Sequence, residues 1–184
     1  MTAPDQTSIA AKIVGFWRQA GPDKWFEKDA AFDAAFHDLF REAHFAAARR
    51  EHDDWLNNAD SSLALMLLLD QFPRNCFRGT AHIYATDPLA RFFAEKAISS
   101  GHDLRIEEEL RVFFYLPFSH SENMEDQDHA CGLNEPLGGS SLHHALQHRD
   151  IVKRFGRFPH RNAILLRETT AEEQKFLDGG GFSG

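Results

Sequence analysis

Leu63-Ala64-Leu65-Met66-Leu67-Leu68-Leu69-Asp70-Gln71-Phe72-Pro73-Arg74-Asn75 is the stretch that decides the fold. Its first seven residues are apolar on every side, so a helix starting at Asp60 or Ser61 must lie centrally and be covered on most of its faces. Proline disfavours helical geometry in the residue before it. Pro73 therefore predicts a helix end at Asp70-Gln71 and a turn from Asp70 to Asn75.

Similar punctuation runs outward in both directions. Ser8 is placed to cap a helix through about Gln19, with Ile9, Ile13, Phe16 and Trp17 on one face and Gly21-Pro22 as its stop. From Lys28 to Arg50, Phe32, Phe36, Leu39, Phe40, Ala43 and Ala47 recur at spacings of three and four, the period of an amphipathic helix. Asp87-Pro88 opens a helix through Ile98 that Gly101 closes. Glu107 to Leu116 reads as an apolar helix running into Pro117, with Phe118-Ser119-His120-Ser121-Glu122 as a turn or a new helix start. Pro136 to Ser140 is loop-like, and the helix from Ser141 to Phe155 ends at Gly156 with Lys153 and Arg154 in its last turn. Thr170 and Glu173 form a capping-box pattern for a short last helix ending near Leu177. Alternating strand patterns of useful length are missing. The reading is an all-α array of antiparallel helical hairpins. A single domain is expected over residues 8–177, between a tail at 1–7 and a Gly-rich tail at 178–184.

At 184 residues the chain can bury a continuous core without disulfides or metal. A net charge of -8, with basic residues scattered among acidic ones, lacks the contiguous positive footprint of a nucleic-acid binder. Cys76 and Cys131 are far apart and make no CxxC, which fits a reducing cytoplasm. No basic and apolar leader opens the sequence and no apolar run reaches spanning length, so neither secretion nor membrane insertion is expected. P-loop, dinucleotide-binding and Gly-x-Ser-x-Gly patterns are all missing. Trp17, Trp25 and Trp55, with 17 Phe residues, are read as packing rather than as ligand platforms.

Candidate chemistry centres on a short echo. Asp70-Gln71-Phe72-Pro73-Arg74-Asn75 has a counterpart in Gly156-Arg157-Phe158-Pro159-His160-Arg161-Asn162. Each Phe-Pro is followed by an Arg-Asn pair, a forked cation with an amide, suited to carboxylates, phosphates or backbone groups. Asp70 near a helix C-terminus is disfavoured by the dipole and calls for a cationic partner. Two arrangements fit these residues. Either Asp70, Arg74, Asn75, Arg157, Arg161 and Asn162 line a pocket for an anionic ligand, or they pair with one another and with Glu122 or Asp150 as structural struts. His120, Glu122 and His160 are the candidate proton-transfer groups, although Ser121 between His120 and Glu122 also suits a cap for the next helix. His144 and His148 have a metal-compatible spacing, but the Glu of HExxH is missing and no metal or other cofactor is assigned.

These segments, together with Phe16-Trp17, Trp25-Phe26, Asp29, Phe32, Asp33, Leu68-Leu69 and Tyr115-Leu116-Pro117-Phe118, resemble the signature segments of a largely bacterial family, domain-of-unknown-function family 924. The resemblance spans nearly the whole chain. It implies an all-α fold of the tetratricopeptide-like superhelical kind and carries no activity with it. Two places differ from the family's pattern. Ala48-Arg49-Arg50 stands where a small or glycine residue is usual, and Leu165-Leu166-Arg167 where Leu-Gly-Arg is expected. Three functions remain open: a small-molecule site for an anion with or without catalysis, a helical module that binds a peptide or protein partner, and a metal-dependent hydrolase.

Overall fold

The structure is a computed structural model and describes residues 8–182. All regular elements among those residues are helical. Ser8 caps α1 (Ile9–Ala20) as the sequence predicts, its Oγ accepting from Ala11 N, and Gly21 ends the helix at φ +76°. A single turn, α2 (Pro22–Trp25), comes next. Asp29 Oδ1 accepts from Ala31 N and Phe32 N to start α3 (Ala30–Ala48). Leu39, expected on the inner face of α3, is exposed, whereas Phe32, Phe36, Phe40 and Ala47 are buried. Asn58 caps α4 (Ala59–Met66) through Ser61 N.

Leu63 through Leu69 are fully buried, as their unbroken apolarity demands. Past Leu69 the chain departs from expectation. The helix does not exit at Asp70-Gln71; it passes into a π-helical turn (Leu67–Gln71) and then into α5 (Phe72–Cys76), carrying Pro73 inside it. The π turn makes this possible: Phe72 N reaches back five residues to Leu67 O. Leu68 O is then left with no backbone donor, since Phe72 N is engaged and Pro73 has none. Proline likewise removes the donor four residues beyond Leu69 O. Two side chains replace the missing donors. His44 Nδ1 donates to Leu68 O at 2.8 Å and Thr86 Oγ1 to Leu69 O at 2.6 Å. Thr86 is also the N-cap residue of α6 (Asp87–Ser99), one position earlier than the sequence suggests.

The second proline surprise is Pro117. The helix α7 (Val112–Ser119) begins later than predicted, after a 3-10 turn at Glu108–Leu110, and contains Pro117. Beyond it, α8 (Met124–Asn134) follows the turn or helix start expected at residues 118–122, but the sequence does not reveal its extent, because its inward positions are Gln127, Ala130 and Asn134 and two of the three are polar. Gln127 Nε2 donates to Ser119 O at 2.8 Å and Ser121 O at 2.6 Å, so its amide closes the end of α7. Gly138 at φ +60° turns the chain into α9 (Gly139–Phe155), which ends at left-handed Gly156. The predicted capping box is present at Thr170 and Glu173 and starts α10 (Ala171–Asp178).

The chain divides into two compact units. One holds the described residues through Arg78 together with His82–Pro117; the other holds Gly79–Ala81 and the residues from Phe118 onward. In the first, α4 packs against α1 and α6, and α3 against α5, around Trp17, Phe36, Phe72 and Phe113. In the second, α8 packs on α9, and Ile151, Val152 and Phe158 form the core with Met124, Phe155, Phe176 and Phe182. The expected tail at 1–7 lies outside the described residues, as do 183 and 184. No helix among the described residues is long and apolar enough to cross a membrane.

Among the described residues, two other than glycine adopt positive φ: Arg50 at 64° and Leu166 at 53°. Both fall in the two places where the sequence is expected to differ from the family's pattern, a small or glycine residue at Ala48-Arg49-Arg50 and Leu-Gly-Arg at Leu165-Leu166-Arg167. Leu166 is also 94% exposed, so burial does not offset the backbone strain. Leu166→Gly is therefore expected to raise the unfolding free energy by about 0.5–1 kcal/mol in urea titration. Thr86→Val, which keeps the shape and removes the donor to Leu69 O, should lower it by about 1–3 kcal/mol.

Candidate functional site

In the first unit, the polar groups of the Phe-Pro segment are engaged by neighbouring helices. Asp70, buried in the π turn, lies 3.1 Å from Arg74 Nη1 and accepts from Gln71 Nε2 at 2.7 Å. Arg74 forks onto Asp87, with Nη1 2.9 Å from Oδ1 and Nη2 3.1 Å from Oδ2, and Nη1 also reaches Asp70 O. Asn75 Nδ2 donates to Asp33 Oδ1 at 2.7 Å, while Arg78 Nε takes the other oxygen at 3.2 Å. Asp70 has the cationic partner that its position demands. Asp33 and Asp87, which complete the cluster, were not singled out by the echo; Asp87 reads in sequence as an ordinary helix start.

In the second unit, Arg157 forks onto Glu173 at 2.6 and 2.8 Å and also donates to Glu168 O. The Glu173 carboxylate further accepts from Thr170 N at 2.8 Å and Asn162 Nδ2 at 3.3 Å. Arg157, above all, holds its pKa down at about 2. Glu122 accepts from Phe158 N at 2.8 Å and from both Nη atoms of Arg167, at 2.7 and 3.0 Å. Burial opposes its ionisation, yet the hydrogen bonds from Arg167 and Phe158 N prevail and keep it below the ordinary carboxylate range. As a carboxylate tied by three donors, Glu122 holds the Phe158 turn. Arg167 also serves Asn162 Oδ1 at 3.0 Å and Phe158 O at 3.1 Å. This hub residue is the one that the sequence motifs do not reveal, because it stands outside both echoed segments. Ser121 donates to Asp126 and accepts from Asn123 N, but the cap of α8 is Asn123.

The remaining candidates gather around Phe158. Buried Arg161 lays its guanidinium 4.5 Å from the centre of that ring and donates from Nη2 to His120 O at 2.8 Å. The His120 ring stands 6.1 Å from that of His148, and both His148 and His160 meet the Phe158 ring, at 5.5 and 5.6 Å. His148 Nδ1 donates to His144 O at 2.7 Å, which leaves the lone pair of the neutral ring on Nε2. Burial, reinforced by His120 and Arg161, pushes His148 down to about 4. Burial, then Arg161 and His148, pushes His160 to about 3. The buried Nδ1 of His160 has no hydrogen-bond partner among the described residues. No group of three or more His, Cys, Asp or Glu side chains among those residues is arranged to hold a metal ion.

An all-helical chain with two Phe-Pro segments braced by arginine-carboxylate pairs thus defines the class. The family model described as "bacterial protein of unknown function (DUF924)" matches residues 13–181, and the chain belongs to that family. It is similar to a solved protein of unknown function, ATU0120 from Agrobacterium tumefaciens. The two are 72% identical with a TM-score of 0.94, covering 96% of this chain and 100% of that one. No curated protein matches the chain.

The buried imidazoles make stability depend on pH. His148, His160 and His44, itself held at about 4 by burial, stay neutral in the folded protein, whereas unfolded histidines take up protons below about 6.5. Their folded values are depressed, so the stability they contribute is complete above about pH 6.5 and is lost as the pH falls toward 4. The unfolding free energy from urea titration should fall between pH 7 and pH 5, by on the order of 1–2 kcal/mol for each such histidine. Replacing His44 with a neutral residue that still donates to Leu68 O, as in His44→Asn, should flatten that dependence.

Proposed function

We propose that the second unit binds a small anionic molecule at the cluster of Arg161, His120, His148 and His160. The supporting observation is that the buried His148 and the half-buried His160, whose Nδ1 has no hydrogen-bond partner among the described residues, are held neutral beside a buried guanidinium. An incoming anion lets an imidazole take up a proton to meet it. In this reading Arg161 supplies the charge and His120 or His160 handles the proton. Arg157, Asn162, Glu122 and Arg167 form the frame that fixes the Phe158 turn. Asp70, Arg74 and Asn75, paired with Asp87 and Asp33, are framework rather than ligand contacts. No reaction is assigned.

The tetratricopeptide-like array and a cytoplasmic setting belong to the same proposal. The first rests on the resemblance and on the packing of α8 against α9 across a short turn, the second on the two free cysteines.

Because an anion raises the pKa of a neighbouring imidazole, binding takes up protons and strengthens as the pH falls. Titration calorimetry with inorganic phosphate and acetate should show tighter binding at pH 6 than at pH 8, and a heat that varies with the ionisation enthalpy of the buffer. Arg161→Gln should weaken it at least tenfold. A folded protein that binds neither anion saturably at either pH would defeat the reading.

A further inference from the structure

The first unit holds a histidine whose tautomer is dictated by the core. His82 stands in the 3-10 turn Ala81–Tyr84, and its Nε2 lies 2.9 Å from Nε2 of buried His44. The His44 ring is stacked on Phe72 at 4.8 Å and gives its Nδ1 proton to Leu68 O, so its other nitrogen only accepts. The proton of neutral His82 is therefore on Nε2 and its lone pair on Nδ1. The half-buried His82 ring meets Phe77 at 4.2 Å and 65° and Phe45 at 5.6 Å and 58°, and both phenyl groups are themselves half-buried. These five side chains all belong to the first unit. With Nε2 turned to the core, the ring presents Nδ1 on its outer edge, beside the two phenyl groups. Nδ1 has no hydrogen-bond partner among the described residues. An unrestrained imidazole can react at either nitrogen; His82 is restricted to one.

We propose that His82 Nδ1 is a nucleophilic centre that takes the acyl group of activated esters, with His44 as its proton relay. Nδ1 attacks the carbonyl carbon, the C–O bond to the leaving group breaks, and the leaving oxygen departs with the electron pair. The acylated ring then carries a positive charge, which makes its Nε2 proton acidic. His44 Nε2 takes that proton, and Leu68 O steadies the imidazolium through Nδ1–H. Water next attacks the acyl carbon and the C–N bond breaks. The carboxylic acid leaves with one water proton, the other goes to solvent, and His44 returns its proton to His82 Nε2. Burial holds His44 at about 4, so it leaves the proton on the resting His82 ring and accepts one only from the more acidic acylated ring. Phe45 and Phe77 give the apolar part of the ester a surface to lie on. The site is independent of the anion reading in the second unit.

Limiting diethyl pyrocarbonate, with adducts mapped by mass spectrometry and assigned to a ring nitrogen by NMR of the 15N-histidine-labelled full chain, tests the nucleophile. Release of 4-nitrophenolate from 4-nitrophenyl acetate, compared with His82→Gln, tests the acyl transfer. Of the eleven histidines, His82 should be labelled first, on Nδ1 and at least fivefold faster than exposed His143. Nitrophenolate release should fall at least fivefold in His82→Gln. Labelling of His82 on Nε2, labelling no faster than that of His143, or release unchanged in His82→Gln overturns the proposal. His44→Asn keeps a donor for Leu68 O, but its shorter side chain no longer reaches His82 Nε2. In this variant the label should spread over both nitrogens of His82 and nitrophenolate release should slow. A rate and a label position both unchanged in His44→Asn overturn the relay. If that variant does not fold, the position of the label in the unaltered chain still decides, because only the bond to His44 confines it to Nδ1.

Discussion

A proline inside a fully buried helix removes a backbone donor where water cannot supply another, and the first unit is organised around that loss. An unsatisfied buried carbonyl costs about 1–3 kcal/mol, a large share of the stability of a domain this size. His44 on α3 and Thr86 at the start of α6 each answer one such carbonyl, so two helices are fixed against the central one by hydrogen bonds as well as by apolar packing. The consequence extends one residue further. With Nδ1–H given to Leu68 O, neutral His44 can only accept at Nε2, and His82 Nε2 donates to it at 2.9 Å. The tautomers of both rings thus derive from the missing proline N–H.

The second Phe-Pro segment meets a comparable need in a different way. Pro159 opens a 3-10 turn rather than sitting inside a helix, and Phe158 contributes both of its backbone groups to distant side chains, its N–H to Glu122 and its carbonyl to Arg167. The arginines that look like ligand clamps in the sequence are largely struts. Arg74, Arg157 and Arg167 each grip a carboxylate with two nitrogens, a geometry that offsets desolvation only when the remaining protons are also satisfied. Arg161 differs in kind. Its guanidinium donates to the His120 carbonyl and lies against the Phe158 ring.

Local chemistry was legible wherever a short-range rule acted alone. Ser8, the Thr170–Glu173 box and left-handed Gly156 are each written in a few adjacent residues, and the structure places them where the sequence does. The unbroken apolarity of Leu63–Leu69 likewise announces a central helix. Legibility fails where distant residues override a local preference. Nothing next to Pro73 says that His44 and Thr86 will support its carbonyls, so the helix end that proline predicts does not occur. The start of α8 was suggested but its extent was hidden, because its buried face carries the amides of Gln127 and Asn134, which a hydrophobic period cannot reveal. Of the candidate site, the pairing of Asp70 with a cation was expected from a helix end that does not occur there; the pairing is present because the carboxylate is buried inside the continuing helix. The gathering of His120, His148 and His160 around Phe158 could not be read, because these residues come from the α7–α8 connection, α9 and the turn beyond it.

The π turn at Leu67–Gln71 is equivalent to one residue inserted into a continuous α-helix. Each residue of an α-helix turns the next by about 100°, so an insertion rotates everything after it by that amount. It is this rotation that brings Arg74 and Asn75 onto Asp87 and Asp33. A homologue lacking one residue between Leu67 and Gln71 would have to find other partners for its arginine and asparagine, or lose both. The length of this short segment is therefore a constraint in its own right, beside the packing of its fully buried leucines.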